Sequence, residues 1–314
     1  MFMKLNRWSG VFFSAILLST VISCTVDSKH STPPSPSVEA VKTQDQSLSD
    51  YWYQGKAELS SFDLQQVRYG EVRKGEGVLI FVAEDFSKSK QVKLDDPTNA
   101  GQDKLPVLKL NYSKKFNTGI YPYSMLLSSF TEVGSAVNPY PVKLNVSVQE
   151  WCGHVFTQVN RKEGHYEVQQ FSYFETEGDQ RFTRNLVWSE DAIFNQIRIN
   201  PAQLPTGDVD MLPGLFYVRL KHKPYEVVKV KATLMESSST EKVYALDFVS
   251  LQRKLNIRFS STAPYEILGW EESYQEGAAS MTTTAKLKKK ILLDYWNFNH
   301  EADASYRKEL MLDF

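Results

Sequence analysis

The chain has 314 residues, 42% of them hydrophobic and 13% aromatic, with 36 basic against 37 acidic residues, a formal net charge of −1 and two cysteines. Neither polyanion binding nor strong membrane-surface attraction follows from this balance, and two cysteines exclude a disulfide scaffold. The length accommodates one large β domain or two smaller β subdomains.

At the N-terminus, Lys4 and Arg7 form a positive segment, and Val11 to Ile22 form an apolar stretch shorter than the roughly 20 residues a membrane-spanning helix needs. Residues 1–23 therefore read as an export signal. They end in Val21-Ile22-Ser23-Cys24, which resembles the lipobox of bacterial lipoproteins. The resemblance implies that Cys24 takes a diacylglycerol, palmitate being a typical chain, and becomes the first residue of the mature protein. An ordinary secretory signal with a chance cysteine is the alternative. Several acyl chains, at about 0.8 kcal/mol per buried CH₂, hold a protein to a bilayer without help. Loss of residues 1–23 removes Lys4 and Arg7 and no acid, leaving 34 basic against 37 acidic residues and a charge of −3.

Residues 24–50, including "STPPSPS", are polar and proline-rich and read as a disordered tether. From Tyr51 onward the patterning changes. Glu76 to Phe86, Leu105 to Phe116, Tyr140 to Trp151, Tyr225 to Met235 and Lys242 to Leu251 are rich in β-branched and aromatic residues, mostly with period-two alternation. Turn signals at "KGEG", "DDPTNAGQD", "ETEGDQ" and "LPTGD" separate them. The pattern predicts a mostly β fold for residues 51–314: a large antiparallel sheet, as a half-barrel, open barrel or sandwich, with one or two accessory helices. One helix is expected after Ser189, with Ser189 as its cap, Glu190 and Asp191 at its positive end, Trp188 and Ile193 at staple spacing, and Pro201 limiting it. A second is expected from about His300 to Leu312.

The candidate chemistry centres on "VQEWCGHVF". Val142, Leu144, Val146 and Val148 alternate with polar residues and define a core face. In the same register Glu150, Cys152 and His154 point inward. One reading opens that face into a cavity where His154 and Glu150 activate the Cys152 thiol. The other makes Gly153 a bulge or bend and Cys152 an inert core residue. The second is the expectation here, because residues at i and i+2 of a strand lie about 6.6 to 7 Å apart. No catalytic residue is therefore assigned; Glu150, Cys152 and His154 are the candidates.

His30, His154, His165, His222 and His300 lack metal-site spacing, and Asp208 and Asp210 in "PTGDVDMLPG" serve as turn residues as readily as metal ligands. No metal or cofactor is expected. Nucleotide-binding and serine-hydrolase signatures are absent. "KLKKK" (Lys286 to Lys290) reads as a solvated strand face, so no nucleic-acid partner is expected. Aromatic clusters such as "YWY" and "GIYPYS" suit a ligand surface or simply fill a core.

The stretches "YWYQGKAELSSFDLQQVRYGE", "KFNTGIYPYSMLLSSF", "VQEWCGHVF", "FSYFETEGDQ", "LPTGD", "YEILGWEES" and "TTTAKLKKKILLDYW" together resemble an uncharacterised family of bacterial lipoproteins often labelled septum formation inhibitor Maf. The S-x-S-x-R-R motif of the Maf nucleotide pyrophosphatases does not occur. The resemblance thus implies an envelope lipoprotein and supplies no catalytic residues. A looser likeness is to periplasmic half-barrel proteins that hold an amphiphile against a concave sheet. Together these readings predict a lipid-anchored envelope protein, at the outer membrane, that binds an amphiphile, a glycan or a protein partner without catalysis. A cysteine-dependent hydrolase or transferase and a structural envelope protein are the alternatives.

Overall fold

A computed structural model describes residues 50–134 and 139–313. The export segment, Cys24 and the tether up to residue 49 lie outside the described residues. The folded part is one sheet of sixteen strands: β1 (Ala57–Arg68), β2 (Glu71–Ser87), β3 (Val92–Lys93), β4 (Lys104–Thr118), β5 (Tyr121–Glu132), β6 (Lys143–Glu150), β7 (Gly153–Arg161), β8 (His165–Ser172), β9 (Gln180–Asn185), β10 (Trp188–Ser189), β11 (Gly207–Leu212), β12 (Val228–Glu236), β13 (Glu241–Phe248), β14 (Arg253–Ser260), β15 (Ile267–Glu276) and β16 (Ala279–Leu293).

The spatial order is β10-β11-β12-β13-β14-β15-β16-β1-β2-β4-β5-β6-β7-β8-β9, with β3 beside β2. Every pair is antiparallel except β10 with β11. The end strands β9 and β10 do not pair, so the sheet is open, as the mostly β expectation required. Antiparallel order also sorts the connections. Those after β1, β4, β6, β8, β13 and β15 lie at one end of the sheet, termed the rim. Those after β2, β5, β7, β12 and β14 lie at the other, the base, where residues 50–56 lead into β1.

Alternation drives the curl. In β4, Leu108, Leu110, Tyr112, Lys114 and Phe116 are buried while the residues between them are partly exposed. The inner face is filled by two short helices, α1 (Ile193–Ile199) and α2 (Leu215–Lys221). Six of seven residues in each are buried, which marks helices surrounded by protein on every side. Phe194 meets the rings of Trp270 and Tyr112, at 5.5 and 6.0 Å between centroids. At about 1.5–3 kcal/mol per buried large apolar side chain, this packing is what keeps such short helices folded.

β1 is buried on both faces because the C-terminal segment covers its outside. Leu310, just after α3 (Ser305–Glu309), joins Ala57, Leu59 and Val82 in a separate cluster. The Ser61 hydroxyl donates to the Leu310 carbonyl at 2.5 Å. Lys288 and Lys290 of the basic run are partly exposed on β16 and sit near Glu76 and Glu266 at 3.9 and 3.3 Å. That is the solvated strand face its sequence suggested.

Three local expectations need correction. "KGEG" is not a turn: Lys74 to Gly77 lie inside β2, and Gly75 is there because a Cβ would meet the Lys115 carbonyl oxygen at 2.5 Å. Ser189 does not cap α1 with its side chain; a 3₁₀ turn, Glu190–Ala192, leads into the helix. Asp208 and Asp210 belong to β11 rather than to a turn, and Asp210 pairs with Lys229 at 2.7 Å.

Candidate functional site

Charged residues occupy inward positions of three strands: Lys114 on β4, Arg253 on β14 and Glu272 on β15, all buried. They converge on Glu190 and Asp191. Arg253 donates from Nη1 and Nη2 to the two Glu190 oxygens, both at 2.6 Å, and from Nε to Glu272 at 2.7 Å. Glu190 and Asp191 in turn accept the backbone N–H groups of Gly214 and Leu215, at 2.7 and 2.9 Å. These two carboxylates were expected to favour α1; they complete the N-terminus of α2 instead. Gly214 allows the close approach, since a Cβ there would lie 2.5 Å from Glu190 Oε1.

This arrangement perturbs titration. Burial pushes Lys114 down, and its ammonium has a single long hydrogen bond, 3.3 Å to Gln66. Burial, then the Glu190 charge, raises Asp191 to about 8. Burial acts upward on Glu272 as well, yet the Arg253 guanidinium outweighs it and leaves the group lowered. The Tyr112 hydroxyl is buried without a partner. The cavity between these groups is about 40 Å³, room for a few waters at about 10–15 Å³ each. Two cations and three carboxylates become neutral when Asp191 holds its proton. The centre fastens both halves of the sheet to α2 and has no space for an organic substrate.

A second buried pair anchors α1. Arg198 and Glu58, both with no exposed surface, bind through two N–H···O contacts, one of them 2.7 Å. Arg198 Nε also donates to the Pro264 carbonyl at 2.9 Å, and the guanidinium lies 4.9 Å from the Trp52 ring and 5.0 Å from Phe81.

The sequence candidates fall elsewhere. β6 ends at Glu150, and Trp151 with Cys152 forms a two-residue turn before β7 begins at Gly153. Glu150 is buried, as its register required, but the chain then reverses. Cys152 is exposed, and the expectation that it packs in the core is overturned. Gly153 starts the new strand because the Tyr173 ring occupies the place of a Cβ, 2.4 Å away. The three side chains do not form a unit. Glu150 Oε2 accepts the Cys152 backbone N–H at 2.6 Å, while His154 is exposed and bonds Ser147 Oγ at 2.7 Å. The carboxylate of Glu150, as hydrogen-bond partner and as charge, pushes the thiol up, the reverse of what a thiolate nucleophile needs. Asp208, like Asp210, lies on exposed β11, and no group of three or more potential metal ligands is present among the described residues.

The larger opening is at the base. Trp52, Tyr53 and Lys56 from the approach to β1, Glu84 from β2, Lys93 from β3 and Trp296 from the segment after β16 surround a groove of about 400 Å³. Its acids are already engaged: Glu84 with Lys109 at 2.5 Å and Asp85 with Lys104 at 2.9 Å. Burial raises the Tyr53 phenol, so it stays a neutral donor and acceptor. Tyr53 and Trp296 are half exposed and Trp52 forms the floor. "YWY" was visible in the sequence as an aromatic cluster. Its union with Glu84, Lys93 and Trp296 comes only from the fold.

No family model and no curated protein sequence matches the chain. Among solved structures it is similar to the crystal structure of a beta-barrel-like protein of domain of unknown function DUF1849 from Brucella abortus. That similarity has a TM-score of 0.40 and 7% identity, covering 76% of this chain and 97% of the other.

Proposed function

We propose that the protein is an envelope lipoprotein, anchored through Cys24 at the outer membrane, that binds a glycan non-enzymatically in the base groove. The observation that carries this reading is the groove itself: about 400 Å³, bounded by two indoles and a phenol, with its carboxylates neutralised by neighbouring lysines. Aromatic faces match the apolar C–H faces of a pyranose, and the charged rim supplies donors and acceptors for hydroxyls. A cavity in the usual range for small ligands, about 300–1,000 Å³, holds one or two sugar rings. The concave face favoured by the half-barrel likeness supports an amphiphile less well, because α1 and α2 fill it. The arrangement around Cys152 supports no hydrolase or transferase. Anchoring is supported by the Val21-Ile22-Ser23-Cys24 sequence and by the position of the groove near residue 50.

The test is calorimetric titration of the full mature chain with an oligosaccharide of N-acetylglucosamine. Trp296→Ala and Tyr53→Ala, at exposed positions, should leave stability unchanged and weaken binding about tenfold or more, a loss of about 1.4 kcal/mol. Unchanged binding by both variants would contradict the groove assignment. Binding of a lipid or a protein in place of every oligosaccharide would contradict the ligand class.

A further inference from the structure

The hairpin turns at the two ends of the sheet differ in character, while the exposed rings at the base, Tyr53 and Trp296, belong to the groove. At the rim the β1–β2 turn is Tyr69-Gly70, the β4–β5 turn Gly119-Ile120, the β6–β7 turn Trp151-Cys152, and the β8–β9 connection begins at Tyr173. Tyr69, Ile120 and Trp151 stand at their turns and Tyr173 at the start of its connection, ahead of Glu175 and Glu177, with Ile120, Trp151 and Tyr173 81%, 67% and 66% exposed; the β15–β16 turn, Gly277-Ala278, carries no large side chain. Val249 after β13 adds a fifth, at 69%. The base hairpins Lys162–Gly164 and Ser237–Thr240 carry no exposed large hydrophobic residue.

Local energetics oppose these choices. Tyr69 sits at φ +56°, in the left-handed region that favours glycine or asparagine. It is held there by Arg68, whose guanidinium lies 4.1 Å above its ring, and by Tyr123, whose hydroxyl is 2.9 Å from its own. Tyr121 continues the row to Trp151, 6.4 Å between centroids.

We infer that the rim is a docking edge for a lipid bilayer, its hairpin tips seated among the headgroups. Spacing and area decide the occupant. Successive tips are two strands apart, about 10 Å at a strand separation of about 4.8 Å, so four of them form a line about 30 Å long. A protein partner needs a contiguous patch of about 800 Å² on each side. For the four residues in line, roughly 150–250 Å² per large side chain, scaled by exposure, amounts to about 400–670 Å², drawn out along a narrow row. A fluid interface needs no shaped pocket, and Tyr and Trp are the residues that settle at headgroup depth. The site is separate from the base groove, being at the opposite end of the strands.

Cys152 supplies the probe position, since it is exposed beside Trp151. The full chain, labelled there with an environment-sensitive thiol fluorophore, is mixed with vesicles of phosphatidylcholine and phosphatidylglycerol. A Cys152→Ser chain measures label attached elsewhere, and Thr98→Cys in that background places the probe at the base. The expected result is a blue shift at Cys152, loss of most quenching by iodide, and new quenching by brominated lipid. The base probe should show none of these. Ile120→Ser with Tyr173→Ser should abolish the shift while circular dichroism stays native. An unshifted, iodide-accessible probe at Cys152 would overturn the inference. So would equal responses at both ends, or a shift without vesicles that grows with protein concentration.

Discussion

Removing the guanidinium of Arg198 should be far more damaging than removing the whole ion pair. Glu58 and Arg198 have no exposed surface, so Arg198→Ala leaves a carboxylate in the core with only Tyr51 as a donor. Breaking a buried pair in this way costs about 3–5 kcal/mol. The Pro264 carbonyl also loses its 2.9 Å donor, and the cation leaves the faces of Trp52 and Phe81. These losses overlap, and a net cost of about 4 kcal/mol is expected. At about 2–4 °C per kcal/mol for a domain of this size, the melting temperature should fall by about 8–16 °C. Glu58→Leu combined with Arg198→Met restores apolar volume and removes both charges, so it should recover to within about 2 kcal/mol of the parent. Urea unfolding followed by tryptophan fluorescence measures all three proteins. A single-variant cost below about 1 kcal/mol, or a double variant worse than the single, would refute the reasoning.

Asp191 makes stability pH-dependent. Burial and Glu190 lift it from 3.8 to about 8, so the native protein keeps a proton that the unfolded chain releases. Its contribution is complete below about pH 4 and is lost as pH rises towards 8; Asp191→Asn should flatten melting temperature over that interval. Glu58 and Glu272, whose net shifts are downward because the Arg198 and Arg253 charges outweigh burial, act oppositely and lose their contribution as pH falls below the carboxylate range. Cys152 should be alkylated to completion in the folded protein, at the pace of an unactivated thiol and without acceleration by denaturant; Cys152→Ser should change stability by less than about 0.5 kcal/mol. Leu310→Ala should cost about 2–3 kcal/mol in chemical denaturation, because that side chain seals the outer face of β1.

Period-two alternation was enough to read the sheet, because a residue's face in a strand depends only on parity. It placed Val142 to Val148 and Glu150 correctly. It failed two residues later because Trp151-Cys152 turns the chain without glycine, proline, asparagine or aspartate. The same parity also marks Lys114, Arg253 and Glu272 as inward, each in phase with buried aromatic or aliphatic neighbours. α2, "LFYVRLK", has strand-like composition and becomes helical where Glu190 and Asp191, 24 residues earlier, meet its N-terminus. The groove draws on segments around residues 52, 84, 93 and 296, and no local pattern joins them.

The glycan-binding groove is tested most directly by a crystal structure of the full mature chain grown with the N-acetylglucosamine oligosaccharide. Sugar density is expected between Trp296 and Tyr53, over Trp52 and within hydrogen-bond distance of Lys56 or Glu84. An empty groove at saturating oligosaccharide, or sugar bound elsewhere on the sheet, would contradict it.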